Sequence, residues 1–128
     1  MSIAAQIKVL VVDDMTTSRM LVTEALQEIG FRQIQVARNG EEALKLLMAS
    51  PGHLVISDFN MPGLDGVGLL EAIRAYAPTR HIPFVMVTGR SDKAAIDRAR
   101  KFGLNNLVTK PFTTAGMRSA LQAVIRGL

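Results

Sequence analysis

Residues 9–14 read Val-Leu-Val-Val-Asp-Asp, four apolar residues closed by two acids. An apolar run without polar alternation suits a strand buried on both faces. Short runs of similar character recur at residues 34–37, 54–56, 83–87 and 107–109, giving five predicted strands. Between them the apolar residues take helical spacing. Leu21, Ala25 and Ile29 sit four apart. Ala43 and Leu47 do likewise, in a segment opened by Asn39 and Glu42 in a capping-box arrangement. Leu70, Ile73 and Ala77 mark a third helix, and Ala95, Ala99 and Phe102 a fourth. Met117, Leu121 and Val124 mark the last, with Thr113 placed to cap it. Strand–helix alternation of this kind predicts an α/β fold, a parallel sheet with helices on both faces. In such folds ligands bind beyond the carboxyl ends of the strands.

The chain of 128 residues fits one domain, with 48% hydrophobic and 20% charged residues. No linker, repeat or low-complexity stretch divides residues 1–128. Cysteine is absent, which excludes disulfides, thiolate catalysis and zinc–thiolate sites, and fits a reducing compartment. The amino-terminal residues lack a signal-peptide pattern, and no segment approaches the roughly 20 apolar residues of a membrane helix. A cytoplasmic protein is the expectation. The net charge is +4, but the basic residues are spread from Lys8 to Arg126, with one tyrosine and no tryptophan for base stacking. Nucleic acid is therefore not an expected partner. The basic surface is either simply solvated or tuned to an acidic protein.

The chemistry lies just past the end of each strand. Asp13 and Asp14 come after the first run, Ser57 and Asp58 after the third, Thr88 and Gly89 after the fourth, and Lys110 and Pro111 after the fifth. If those strands are neighbours, three acids, a hydroxyl and an ammonium converge on one rim. Two carboxylates about 4 Å apart repel by about 4 kcal/mol at an effective dielectric near 20. One lysine does not neutralise three acids; a hard cation such as Mg²⁺ does. The predicted ligands are Asp14 and Asp58 directly, with Asp13 direct or through water. Taken alone, Asp13 and Asp14 suit helix capping equally well. A carboxylate can attack phosphorus, and Thr88 and Lys110 can then each serve a phosphoryl oxygen. Taken alone, Thr88 reads as a strand-end threonine and Lys110 as a surface lysine. Residues 60–66 are rich in turn formers and suit a bend that aims a backbone carbonyl at a metal, or a plain connector. Gly89 either admits a phosphoryl oxygen to its N–H or is a flexible turn.

The segments 9–14, 56–66, 85–89 and 109–112 together resemble the response-regulator receiver family, in its stand-alone chemotaxis CheY type. Asn60, two residues after Asp58, is particularly CheY-like. The resemblance implies a five-stranded doubly wound sheet of order 2-1-3-4-5. It implies Asp58 as phosphoacceptor and Asp13, Asp14, Asp58 and the Asn60 carbonyl around Mg²⁺. It places Thr88, Gly89 and Lys110 at the phosphoryl group, with a cis bond between Lys110 and Pro111. The implied partners are a CheA-like histidine kinase, the flagellar motor switch protein and a phosphatase, met by a monomer without an output domain. Its catalysis would be confined to its own phosphorylation and dephosphorylation. The implied partner face includes Lys93, Ile96, Arg100 and Leu107.

The sequence departs from the family at Leu107, where members with a rotating aromatic switch carry Tyr or Phe. The usual coupling of Thr88 to an aromatic ring therefore cannot operate. Arg90 either borders the phosphoryl pocket or is a solvated loop residue, and Ile96 is either an exposed contact or a core-edge residue. Three further readings remain: a phosphate sink without motor binding, a phosphorelay intermediate, and an aspartyl-nucleophile phosphohydrolase. The last usually has an Asp-x-Asp pattern after the first strand, whereas Asp13 and Asp14 are adjacent.

Overall fold

Alternate residues of the central strands feed two apolar layers, one on each face of a single sheet. The computed structural model describes residues 2–89 and 93–128. Its strands are β1 (Lys8–Val12), β2 (Gln33–Ala37), β3 (Leu54–Asp58), β4 (Phe84–Thr88) and β5 (Asn106–Thr109). They pair in parallel in the order β2-β1-β3-β4-β5. The helices are α1 (Ile3–Gln6), α2 (Thr16–Ile29), α3 (Gly40–Ala49), α4 (Gly66–Ala75), α5 (Lys93–Lys101) and α6 (Thr114–Gln122). A 3₁₀ turn, Ala77–Thr79, comes after α4.

Val9, Val11, Leu54, Ile56, Val85 and Val87 face one layer, filled by Val22, Ala25 and Leu26 of α2 and Met117 and Leu121 of α6. Leu10, Val12, Val55, Phe84 and Met86 face the other, filled by Ala43 and Leu47 of α3, Leu70 and Ile73 of α4 and Ala99 of α5. In the middle strands residues 9–12, 54–56 and 84–87 are apolar without alternation because both their faces are covered. Edge strand β2 instead exposes Gln33, Gln35 and Val36.

The expected caps form. Asn39 Oδ1 accepts the Glu42 N–H at 2.8 Å, and Thr113 Oγ1 accepts the Gly116 N–H at 2.9 Å. Asp65 caps α4 in the same way, accepting the Gly68 N–H at 2.8 Å. Each such cap contributes about 1 kcal/mol.

The structure departs from the sequence reading at several places, among them Phe102 and Val124, which lie just past the ends of α5 and α6. Leu21 is 54% exposed, and the buried stripe of α2 is Val22, Ala25, Leu26 and Ile29. A four-residue spacing runs along either edge of a helical stripe, so the spacing of Leu21 fits its exposed edge as well. Ala77 lies outside α4, because Pro78 has no N–H with which to continue the helix. Strands β3 and β4 extend to Asp58 and Thr88, so both are last strand residues and not loop residues. Helix α1, capped by Ser2, has no signal in the sequence, because its four residues are too short to show a period.

The connection from β3 to α4 turns back on Asp58 itself. The Gly66 N–H donates to the Phe59 carbonyl at 2.9 Å. A Cβ on Gly66 would stand 2.5 Å from the Asp58 carbonyl oxygen and 3.0 Å from Phe59 Cα. Backbone atoms cannot swing aside as a side chain would. Gly66→Ala is expected to lose about 1–3 kcal/mol in urea unfolding through overpacking. Gly89→Ala is expected to stay within about 0.5 kcal/mol in the same measurement, because a Cβ there meets nothing within 4 Å among the described residues.

Candidate functional site

Parallel pairing puts the carboxyl ends of β1, β3, β4 and β5 on one edge of the sheet. Asp13 and Asp14 come after β1, Asp58 ends β3, Thr88 ends β4 and Lys110 comes after β5. One carboxylate oxygen from each of Asp13, Asp14 and Asp58 lies within 4.8 Å of the other two. Asp13 and Asp58 are buried and Asp14 is exposed. Lys110 reaches in from β5, its Nζ 3.4 Å from Asp58 Oδ1 and 3.7 Å from Asp13 Oδ2.

The remaining bonds hold these groups in place. The Phe59 N–H donates to Asp58 Oδ1 at 2.9 Å, and the Met15 N–H donates to Asp13 Oδ1 at 2.9 Å. The residue at the capping position of α2 is Met15, whose side chain makes no cap bond. Asp13 therefore braces the entry to α2 from two residues earlier, while its other oxygen faces Lys110. Arg19 Nη1 donates to the Asp13 carbonyl at 2.9 Å, so α2 also steadies the acid pair. The Lys110 N–H donates to the Thr88 carbonyl at 2.8 Å and joins the ends of β4 and β5. The Lys110–Pro111 bond is cis.

At separations near those found here, each pair of like charges costs roughly 3–4 kcal/mol at an effective dielectric of 20. Among the described residues Lys110 offsets one charge of three. Burial pushes the Asp58 carboxyl above its ordinary pKa; the Lys110 ammonium pulls it down, the Asp13 charge pushes it up, and the Phe59 N–H lowers it. The donor set consists entirely of hard oxygens. The two histidines lie elsewhere, His53 ahead of β3 and His81 ahead of β4, at the opposite ends of those strands. Oxygen donors with excess negative charge fit a hard divalent cation such as Mg²⁺.

The other expected residues take varied positions. Thr88 is buried, 3% exposed, at the end of β4 beside the register pair Asp58–Val87. Asn60 is exposed in the connection after Asp58, and Gly89 is exposed after Thr88. Among the described residues nothing packs close enough to Gly89 to demand glycine there. Arg90 lies outside the described residues. On the expected partner face, Lys93 and Arg100 are exposed and Ile96 is half-buried. Leu107, also half-buried, packs on the core layer that contains Met86 and Ala99.

Sequence reasoning missed three supporting features. Arg19 and Gly66 carry no chemistry of their own, and only the tertiary contacts reveal their roles. The third is a groove of about 580 Å³ beside Lys110. Met15, Leu21, Pro111 and Phe112 form its apolar wall, with Glu24 and Glu28 also lining it. The exposure of Leu21 belongs to this groove.

The Asp58 pKa sets a pH dependence. Its folded value is raised, so below the ordinary aspartate pKa of about 3.9 both folded and unfolded forms are protonated and the group carries no penalty. As pH rises through the folded value, the ionised carboxylate comes to destabilise the fold. Asp58→Asn keeps an oxygen for the Phe59 N–H and removes the charge. In chelator at pH 7 the variant is expected to melt about 2–5 °C above the original chain. The difference is expected to vanish as pH approaches about 4, read by thermal melts across that range.

Comparison with known proteins agrees with this fold. Residues 9–122 match the response regulator receiver domain. The chain is 48% identical over 128 residues to a probable chemotaxis protein CheY of Rhizobium etli, covering all of this chain and 99% of that protein. It is 36% identical over 121 residues to chemotaxis protein CheY-3 of Vibrio cholerae, covering 94% and 93% of the two chains. Among solved structures, Vibrio cholerae CheY4 superposes with a TM-score of 0.86 at 29% identity, over 93% of this chain and 98% of that one. With the sheet order and the strand-end acids already in place, the chain belongs to the response regulator receiver family, as a CheY-type receiver domain of two-component signalling.

Proposed function

We propose that the chain is a phosphorylation-driven signalling protein of a chemotaxis-type pathway, with Asp58 as its phosphoacceptor. The observation that carries this is Lys110 Nζ at 3.4 Å from Asp58, in a pocket where three carboxylate oxygens lie within 4.8 Å. In the transfer, an Asp58 oxygen bonds phosphorus, the phosphorus–nitrogen bond of a kinase phosphohistidine breaks, and the imidazole leaves with the bond's electrons and takes up a proton. Asp13, Asp14, Asp58 and the Asn60 carbonyl would hold Mg²⁺. When bound, Mg²⁺ supplies positive charge to the phosphoryl oxygens. Lys110 then offers its ammonium to another oxygen, and Thr88 and the Gly89 N–H offer hydrogen bonds. The chain's own catalysis ends with its own phosphorylation and dephosphorylation.

The donor is a CheA-like histidine kinase in this reading. The groove beginning at Lys110 and Pro111 gives a protein donor an apolar surface next to Asp58. Among the described residues no helix is long and apolar enough to cross a membrane. A cytoplasmic location, where the kinase would be met, belongs to the same proposal.

The output is a surface presented to a separate partner, the flagellar motor switch protein in the leading version. Leu107 supports a second version, a phosphate sink that drains the kinase. It packs on the core where the aromatic switch of the family would stand.

Acetyl phosphate with Mg²⁺ is expected to label the original chain and leave Asp58→Asn unlabelled, read by radiolabel or intact mass. Asp13→Asn is expected to require more Mg²⁺ for the same labelling. Undiminished labelling of Asp58→Asn removes the assignment. A pull-down with motor switch protein, with and without beryllofluoride, distinguishes the two outputs. Capture only with beryllofluoride establishes motor binding, and its absence favours the sink.

A further inference from the structure

The connection from Asp58 to α4 is held from outside by a residue that takes no part in the acidic pocket. Glu41 stands in the first turn of α3, and its Oε1 accepts the Leu64 N–H at 3.1 Å, 23 residues away along the chain. The local sequence makes room for this contact twice. Gly63 has φ +74°, and a Cβ there would stand 2.8 Å from the same Glu41 oxygen. Gly40 precedes Glu41, and a Cβ on it would stand 2.7 Å from the Leu64 carbonyl and 2.9 Å from Leu64 Cβ. Both sides of Leu64 are therefore fitted to the start of α3. Asn39, capping that helix through the Glu42 N–H, keeps its first turn in place.

The held segment then closes on the phosphoacceptor. Asp65 caps α4, the Gly66 N–H returns to the Phe59 carbonyl, and the Phe59 N–H donates to Asp58 Oδ1. Residues 59–66 thus form a loop pinned at its base by Asp58 and Gly66 and along its length by Glu41. Asn60 lies on the span between those anchors.

We infer that Glu41 is a positioning residue for the acidic pocket, whose carboxylate sets the conformation of the 59–65 connection and thereby the affinity of the pocket for a divalent cation. The inference rests on the proposed Mg²⁺ site. Glu41 acts through the backbone it holds and is not one of the proposed ligands.

The test compares the original chain with Glu41→Ala and Glu41→Gln. MgCl₂ titrations are followed by amide NMR shifts, and hydrogen exchange of the Leu64 amide is measured in chelator. Glu41→Gln keeps an acceptor oxygen and loses the charge. Glu41→Ala loses both. Glu41→Ala is expected to bind Mg²⁺ about threefold more weakly, less than the 10–100-fold typical of groups that touch a metal ligand directly. Its Leu64 amide is expected to exchange faster. Glu41→Gln is expected to match the original chain in both measurements. Unchanged Mg²⁺ affinity in Glu41→Ala, even with a lowered melting temperature, reduces Glu41 to a helix-stabilising residue and overturns the inference. Equal weakening in Glu41→Ala and Glu41→Gln assigns the effect to charge and overturns it as well. If the original chain shows no Mg²⁺-dependent shifts, the metal site itself fails, a result distinct from either of these.

Discussion

Parallel pairing of five strands in one sheet is the constraint that governs everything else in the molecule. A parallel ladder requires every strand to point the same way, so every carboxyl end arrives at the same edge. The order β2-β1-β3-β4-β5 then makes β1, β3 and β4 the interior strands. Their apolar residues are consumed by the two helical layers, and the first polar residues past the core meet on the rim. Asp13, Asp14, Asp58 and Thr88 are brought together because the strands that carry them share a direction and lie side by side.

That convergence creates an electrostatic problem within the fold. Asp58 is held partly out of water, next to Asp13, and its carboxyl shifts upward in consequence. Lys110 reduces the strain because β5 pairs with β4 and delivers the ammonium across the pocket. Among the described residues an excess of negative charge is left over in the pocket. Excess charge at a buried site is unfavourable for stability and favourable for binding a cation, so the feature that weakens the bare fold is also what suits it to the proposed metal.

The supporting contacts show a second organisation behind the charged residues. Arg19 holds the Asp13 carbonyl, Gly66 lets α4 approach the Asp58 backbone, and Glu41 holds the connection between them. Each comes from a different helix, α2, α4 and α3. The rim is thus positioned from the layers that bury the sheet, and packing of those layers and geometry of the pocket are not independent. Leu107 illustrates the same coupling on the other side. Its side chain belongs to the apolar layer shared with Ala99 of α5, so the proposed partner face and the core meet at one residue.

By itself the sequence determined the five strands, the parallel α/β class, the caps Asn39 and Thr113, and the strand-end chemistry. These are local or periodic properties, written into short apolar runs and the residues that close them. The strand order was legible only through family resemblance, because the apolar runs state that strands are buried but not which are neighbours. The tertiary structure decided the rest. Leu21 faces a groove and Val22 the core, a difference of one position that a four-residue period does not resolve. Arg19, Glu41 and Gly66 carry no motif, since each matters only through an atom that is distant in sequence or on a neighbouring element. The pocket's charges are properties of residue types, and their separations are properties of the sheet that brings them together.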